Sequence, residues 1–308
     1  MEERLKKKKL SELFHSNESE FIAVYGRRRV GKTYLISEYF QEKGIYFEVT
    51  GQLSAKVSDQ LENFSQSLAN TFFQGIELQK PKTWKQAFNQ LKNEISKASS
   101  SKKIILFFDE VPWLASRKSG FISALEYFWN TCASRYKNIK LIVCGSASSW
   151  MIQKIVNSKG GLHNRITASI RLMPFNLVET KAFCNYRGLN LNDRQLLDIY
   201  MIMGGIPHYL RQLKKGLSAI QNINEICFTK DGFLVNEFDR LYDSLFDDSK
   251  DYKAIVTALS KKRKGLVRKE LLAVIGAKPG GKLHRILKNL EEAGFIDSYQ
   301  AYKKKHKE

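Results

Sequence analysis

The chain has 308 residues, of which 43% are hydrophobic and 27% charged; it is long enough for two domains and too apolar to stay disordered. Lys and Arg outnumber Asp and Glu by 51 to 31, a net charge of +20, and an excess of that size points to a polyanionic partner such as nucleic acid. The length excludes a disulfide miniprotein, and Cys132, Cys144, Cys184 and Cys227 lack metal-ligand spacing and read as reduced, buried thiols.

No apolar run approaches the roughly 20 residues needed to cross a bilayer, and the start lacks the apolar stretch of a secretory signal. The expected compartment is the cytoplasm, without a membrane partner. Lys6, Lys7, Lys8 and Lys9, set among Leu5, Leu10, Leu13 and Phe14, read as the polar side of an amphipathic helix rather than as a tag for an anionic surface.

Beyond that helix, short β-branched or aromatic runs at 21–25, 45–49, 104–108, 140–144 and 169–173 alternate with helical patterns at 32–43, 54–73, 83–98 and 120–136. Gly44 is the expected C-terminal cap of the first of these helices. Strands so continuously apolar are covered on both faces, and the spacers are long enough for crossover helices. The expected fold class is therefore α/β, a parallel five-stranded sheet. Helical periods dominate from 174 to about 230. Residues 231–251 carry seven acids and two bases, the mark of a joint between domains, whereas 261–308 carry fourteen bases and five acids. The polyanion argument concentrates in that tail.

Directly after the first strand stands Gly26-Arg27-Arg28-Arg29-Val30-Gly31-Lys32-Thr33, followed by a helical run from Tyr34. This is a full match to G-x-x-x-x-G-K-[ST] in the required strand, loop and helix order. The glycines let backbone N–H groups converge on phosphate oxygens at the positive end of the helix. Lys32 is then expected on the β and γ phosphates of ATP, and Thr33 on Mg²⁺. The third strand ends in Asp109 and Glu110, two carboxylates at the edge where ligands bind. Asp109 is expected to hold Mg²⁺ and Glu110 to polarise the attacking water, so the pair argues for hydrolysis.

The fourth strand ends Cys144-Gly145-Ser146-Ala147-Ser148. Ser146 either senses the γ phosphate or caps the helix containing Trp150 and Met151. Further on, Arg165 is an arginine-finger candidate with Arg171 as its competitor, the alternative being a surface ion pair; His163 reads as a surface histidine.

These motifs in this order resemble archaeal-type AAA+ ATPases of the STAND group, signal-transduction ATPases with numerous domains. The likeness runs over residues 1–300 and is sharpest at the phosphate loop. Gly204-Gly205-Ile206-Pro207 is similar to the family's Gly-x-Pro element, which implies that Pro207 touches the base. The resemblance implies a P-loop NTPase core at 1–175 with helices on both sheet faces, a helical lid at 176–235 and a winged helix at 236–308. Relatives usually open with a Phe-x-x-Arg-x-x-x-Leu segment, whereas this chain starts Met1-Glu2-Glu3-Arg4-Leu5 and stops inside the wing, which implies a truncated or degenerate product with part of the base pocket missing.

The tail itself shows amphipathic patterns at 252–260, 267–275 and 282–293 and a wing strand at 295–302. Lys282, His284, Arg285 and Lys288, with Lys261, Lys262, Arg263 and Lys264 nearby, are placed to meet duplex DNA; the alternative is a protein-docking module. The expected function is Mg²⁺-dependent hydrolysis of ATP that switches the lid and winged helix, with oligomerisation open. Two rivals are a processive AAA+ motor on DNA and a binding module that its nucleotide only stabilises.

Overall fold

A computed structural model of the chain describes all residues except 1, 99, 100, 159, 161, 163, 247, 277–279 and 300–308, with backbone only at 2–5. The chain divides into two compact units, Met1–Met173 and Pro174–Glu308. No described helix is long and apolar enough to cross a membrane.

The first unit runs α1 (Glu2–His15), β1 (Glu20–Tyr25), α2 (Lys32–Phe40), β2 (Ile45–Thr50), α3 (Val57–Phe72), α4 (Trp84–Lys97), β3 (Ile104–Asp109), α5 (Val111–Leu114), α6 (Phe121–Thr131), β4 (Ile139–Gly145), α7 (Ser148–Met151) and β5 (Ala168–Arg171). All five strands are parallel, in the order β2-β3-β4-β1-β5. Alternate residues serve the two faces. Phe47, Val49, Leu106, Phe108, Leu141 and Val143 bury against α3, α4 and α6 in one aromatic-rich core, where Trp84 meets Phe121 edge-on with ring centroids 4.8 Å apart. The intervening Ile22, Val24, Ile105, Phe107 and Ile142 are equally buried, on the face that α2 contacts.

Gly44 does not cap α2. That helix ends at Phe40, with Gln41 still helical, and Gly44 sits where a Cβ would lie 2.3 Å from the Lys103 carbonyl oxygen. Its small size serves the close approach that starts the β2–β3 pairing, not a helix end. Three of the cysteines are buried and Cys227 is half-buried.

The second unit is helical: α8 (Leu177–Tyr186), α9 (Asp193–Met203), α10 (Pro207–Leu210), α11 (Ala219–Cys227), α12 (Glu237–Leu245), α13 (Ser249–Ser260), α14 (Arg268–Ile275) and α15 (Gly281–Glu292). The acidic stretch read as a joint contains α12, whose Tyr242 packs in one core with Tyr252, Ile255, Leu271, Leu283, Ile286 and Leu290. Residues 295–299 form no strand. Instead the Tyr299 hydroxyl donates to the Lys264 carbonyl at 2.6 Å, and 300–302 of the expected wing lie outside the described residues.

Candidate functional site at the carboxyl edge of the sheet

Gly26 leaves β1 with φ 151°, a conformation side chains rarely adopt, and a Cβ there would lie 2.1 Å from the Leu172 carbonyl oxygen. Only glycine fits. Arg29 is left-handed at φ 71°, buried Val30 anchors the loop, and Gly31 opens α2 at φ 90° with no capping side chain. The first N–H groups of α2 thus meet no side-chain cap, the arrangement that suits an anion. Lys32 is buried, and its Nζ donates to the carbonyls of Gly26 and Arg27, each at 3.1 Å. The Arg28 guanidinium stands over the Trp113 ring, 5.4 Å from its centroid, while Tyr34 projects outward, 70% exposed.

The loop and the third strand meet at one hydrogen bond. Thr33 Oγ1 donates to Asp109 Oδ2 at 2.5 Å, and the other Asp109 oxygen accepts the Glu110 N–H at 2.9 Å. Glu110 takes a left-handed backbone, φ 46°, strained for a non-glycine residue and common at functional sites. Because β4 lies between β3 and β1, its exit delivers Ser146 to the same place. The Ser146 N–H and hydroxyl both donate to Glu110 Oε2, at 3.1 and 2.8 Å. Ser146 is therefore no helix cap: α7 starts at Ser148 with Ala147 before it and no side-chain cap. The Ser148 hydroxyl is buried and makes no hydrogen bond among the described residues. Beneath this edge, burial pushes the Cys144 thiol well above its usual range, and the Asp109 charge adds to the effect.

One acid here escaped the sequence reading. Glu48 lies inside the apolar run of β2, and its Oε2 accepts the Tyr46 hydroxyl at 2.9 Å. Burial raises its carboxyl above the usual range, with the Asp109 charge contributing. The available signal was the polar alternation Tyr46, Glu48, Thr50 within the run.

Other candidates stay apart. Arg165 is exposed, its N–H on the Leu162 carbonyl, and among the described residues no hydrogen bond or ion pair joins it to Asp109 or Glu110. Arg171 ends β5, also exposed. His163 lies outside the described residues. Pro207 opens α10 in the second unit, behind Gly205, whose Cβ would lie 2.0 Å from the Phe175 carbonyl oxygen.

On α15, Lys282, His284, Arg285 and Lys288 are exposed. Two of them have acidic partners, Lys282 with Asp251 at 2.5 Å and Lys288 with Glu292 at 3.9 Å. Lys253 spans Asp239 and Asp243 at 2.7 and 2.8 Å. Asp251 of the acidic segment thus offsets one base of the tail, while Asp239 and Asp243 are taken up by Lys253, outside it.

The family of ATPase domains predominantly from Archaea matches residues 3–213. An uncharacterized protein of Methanocaldococcus jannaschii is 30% identical over 292 residues, which are 94% of this chain and 60% of that protein, so the chain spans three fifths of the relative's length. In fold, the chain is similar to a Walker-type ATPase of Pyrococcus abyssi, with TM-score 0.66 and 20% identity over 95% of this chain and 89% of that one. It is also similar to the Aeropyrum pernix ORC2 protein, solved as ADPNP–ADP complexes, with TM-score 0.52 and 17% identity over 96% and 86%.

Proposed function

Since the chain belongs to the family of ATPase domains found predominantly in Archaea, we propose that the carboxyl edge of its sheet binds ATP with Mg²⁺ and hydrolyses it to ADP and phosphate. The nucleotide state acts as a switch on the helical second unit. The observation that carries this reading is the Thr33–Asp109 hydrogen bond, which brings the phosphate-loop hydroxyl and the β3 carboxylate to one point. A hydroxyl and a carboxylate are the hard oxygen donors that Mg²⁺ takes, the remaining positions going to phosphate and water.

In this reading the backbone of 26–33 cradles the phosphates, and Lys32 exchanges the Gly26 and Arg27 carbonyls for β- and γ-phosphate oxygens. Arg27, Arg28, Arg29, Val30 and Tyr34 shape the surrounding wall. Thr33 and Asp109 hold the ion, which when bound offsets charge developing on the phosphates. Glu110 orients the attacking water, and Ser146 acts through Glu110, fixing its carboxylate. Arg165 supplies positive charge from this chain or a neighbouring copy. Duplex DNA or another polyanion engages Lys261, Lys262, Arg263, Lys264 and Arg285, with Lys282 and Lys288 partly committed to their acids.

The test is steady-state phosphate release from ATP with Mg²⁺, with and without duplex DNA, in the parent, Glu110→Gln and Lys32→Ala. Slow turnover abolished by both changes supports the switch, and strong stimulation by DNA replaces it with a motor. A parent that holds nucleotide without turnover is a binding module instead.

A further inference from the structure

The sheet face that carries Asp109 holds a second carboxylate with no part in the reaction described above. On α2, Thr33 and Ser37 lie one turn apart and both reach the strands below. Thr33 bonds Asp109 on β3, and the Ser37 hydroxyl donates to the Tyr46 hydroxyl oxygen of β2 at 3.4 Å. That same hydroxyl donates to Glu48 Oε2 at 2.9 Å. In the parallel register Glu48 stands opposite Phe107 and Thr50 opposite Asp109, and residues so paired project from the same face. Glu48 is therefore the diagonal neighbour of Asp109 on the side where Thr33 descends.

An apolar residue at position 48 would continue the strand at no electrostatic cost, whereas a carboxylate loses hydration there and meets the like charge of Asp109. Burial and Asp109 raise its carboxyl, and the Tyr46 bond opposes them. Among the described residues no Lys or Arg forms an ion pair with it. Two acids of one charge on one sheet face, Asp109 accepting the Thr33 hydroxyl and Glu48 the Tyr46 hydroxyl, are relieved by a dication between them and the phosphates. Mg²⁺ dehydrates reluctantly and keeps several waters, which need acceptors beyond the direct ligands.

We infer that Glu48 is a positioning residue for the Mg²⁺ held by Thr33 and Asp109, its carboxylate accepting a hydrogen bond from a water of the ion's shell while Tyr46 and Ser37 fix its direction. This rests on the nucleotide-binding reading above. Outer partners of this kind typically carry a ten- to hundredfold share of metal affinity.

Mn²⁺ stands in for Mg²⁺ as a probe visible to electron paramagnetic resonance. It is titrated into the full chain saturated with ADP, for the parent, Glu48→Gln, Tyr46→Phe and Asp109→Asn, with metal-free ADP affinity and thermal unfolding measured alongside. Glu48→Gln is expected to weaken Mn²⁺ roughly tenfold and Tyr46→Phe by a smaller factor, both leaving metal-free ADP binding unchanged. A folded Glu48→Gln with Mn²⁺ affinity within about twofold of the parent overturns the inference. Should that variant unfold, an unchanged Tyr46→Phe overturns it equally. A parent that binds ADP but no Mn²⁺, or an Asp109→Asn that binds it normally, removes the metal reading itself and is distinguishable from failure at Glu48 alone.

Discussion

Ser146 donates twice to a single oxygen of Glu110, from its N–H at 3.1 Å and its hydroxyl at 2.8 Å. The backbone donor survives substitution by anything but proline, and the hydroxyl does not survive Ser146→Ala. Glu110→Gln is expected to lower kcat by roughly 10²-fold, the lower end of what a positioned base contributes, with ATP affinity retained. Ser146→Ala loses one charge-assisted hydrogen bond of two and is expected to lower kcat about tenfold with KM unchanged. Stopped-assay phosphate release against ATP concentration separates the two parameters; a Ser146→Ala effect confined to KM would show that the serine contacts nucleotide rather than Glu110.

The Lys32 ammonium has the Gly26 and Arg27 carbonyls as its hydrogen-bond partners, so its removal leaves the fold without an orphaned charge. Lys32→Ala is expected to unfold at the parental temperature yet bind ATP roughly 10- to 100-fold more weakly, the scale of hydrogen bonds to a charged group. Fluorescent-nucleotide titration reads this directly. Equal affinities in variant and parent would mean that the phosphates sit elsewhere.

The phosphate loop was legible because its chemistry is local: glycines at 26 and 31, Lys32 and Thr33 act through the chain's own turn and helix start. The central strands β1, β3 and β4 were legible because both faces of each are covered, which imposes unbroken apolar runs, whereas β5 is buried only at alternate residues. What depends on adjacency was not. The insertion of β4 between β3 and β1 decides that Ser146 meets Glu110 instead of capping α7, and nothing near residue 146 states that order. Glu48 was hidden for the opposite reason, a single charged residue inside a short strand whose other side chains suit a sheet. The pairing of Lys282 with Asp251 was hidden for the same reason as that of Ser146 with Glu110, since the two are 31 positions apart in the chain and adjacent in the fold.

Gly26→Ala sets the added Cβ against the Leu172 carbonyl, a fixed backbone atom at 2.1 Å in an orientation with φ 151°. Either the phosphate loop or the exit of β5 must move. The expected outcome is a loss of stability of several kcal/mol, in the range of overpacking combined with backbone strain, together with loss of nucleotide binding. Thermal unfolding of the purified variant measures it. Gly31→Ala, where the structure places no atom within 4 Å of the new Cβ, pays only for its positive φ and should unfold at a higher temperature than Gly26→Ala; the reverse order would contradict the packing described.

Lys140 is the one lysine of β4 and has no exposed surface, at the amino edge of the sheet, away from the phosphate loop. Its Nζ donates to the carbonyls of Ser16 and Glu18 at 3.1 and 2.7 Å, pinning the turn between α1 and β1. Burial lowers it from 10.5 to about 8, with Lys103 nearby acting in the same direction and Glu20 and Glu18 opposing. A lysine depressed in the folded state is charged at a cost that is fully present below pH 8. Between pH 8 and 10.5 the unfolded chain holds a proton that the folded chain has released, so this group makes stability rise with pH, by about 3 kcal/mol if the whole shift is expressed. Other groups titrate in that window, which makes the parent's slope alone indecisive. Lys140→Met isolates the contribution, because the thioether keeps the apolar stem and cannot titrate. Urea midpoints of parent and variant at pH 7, 8, 9 and 10 should diverge in slope, the parent gaining on the variant as pH rises. Parallel curves would mean that the ammonium is solvated in the folded chain and that the two carbonyls bind it without penalty.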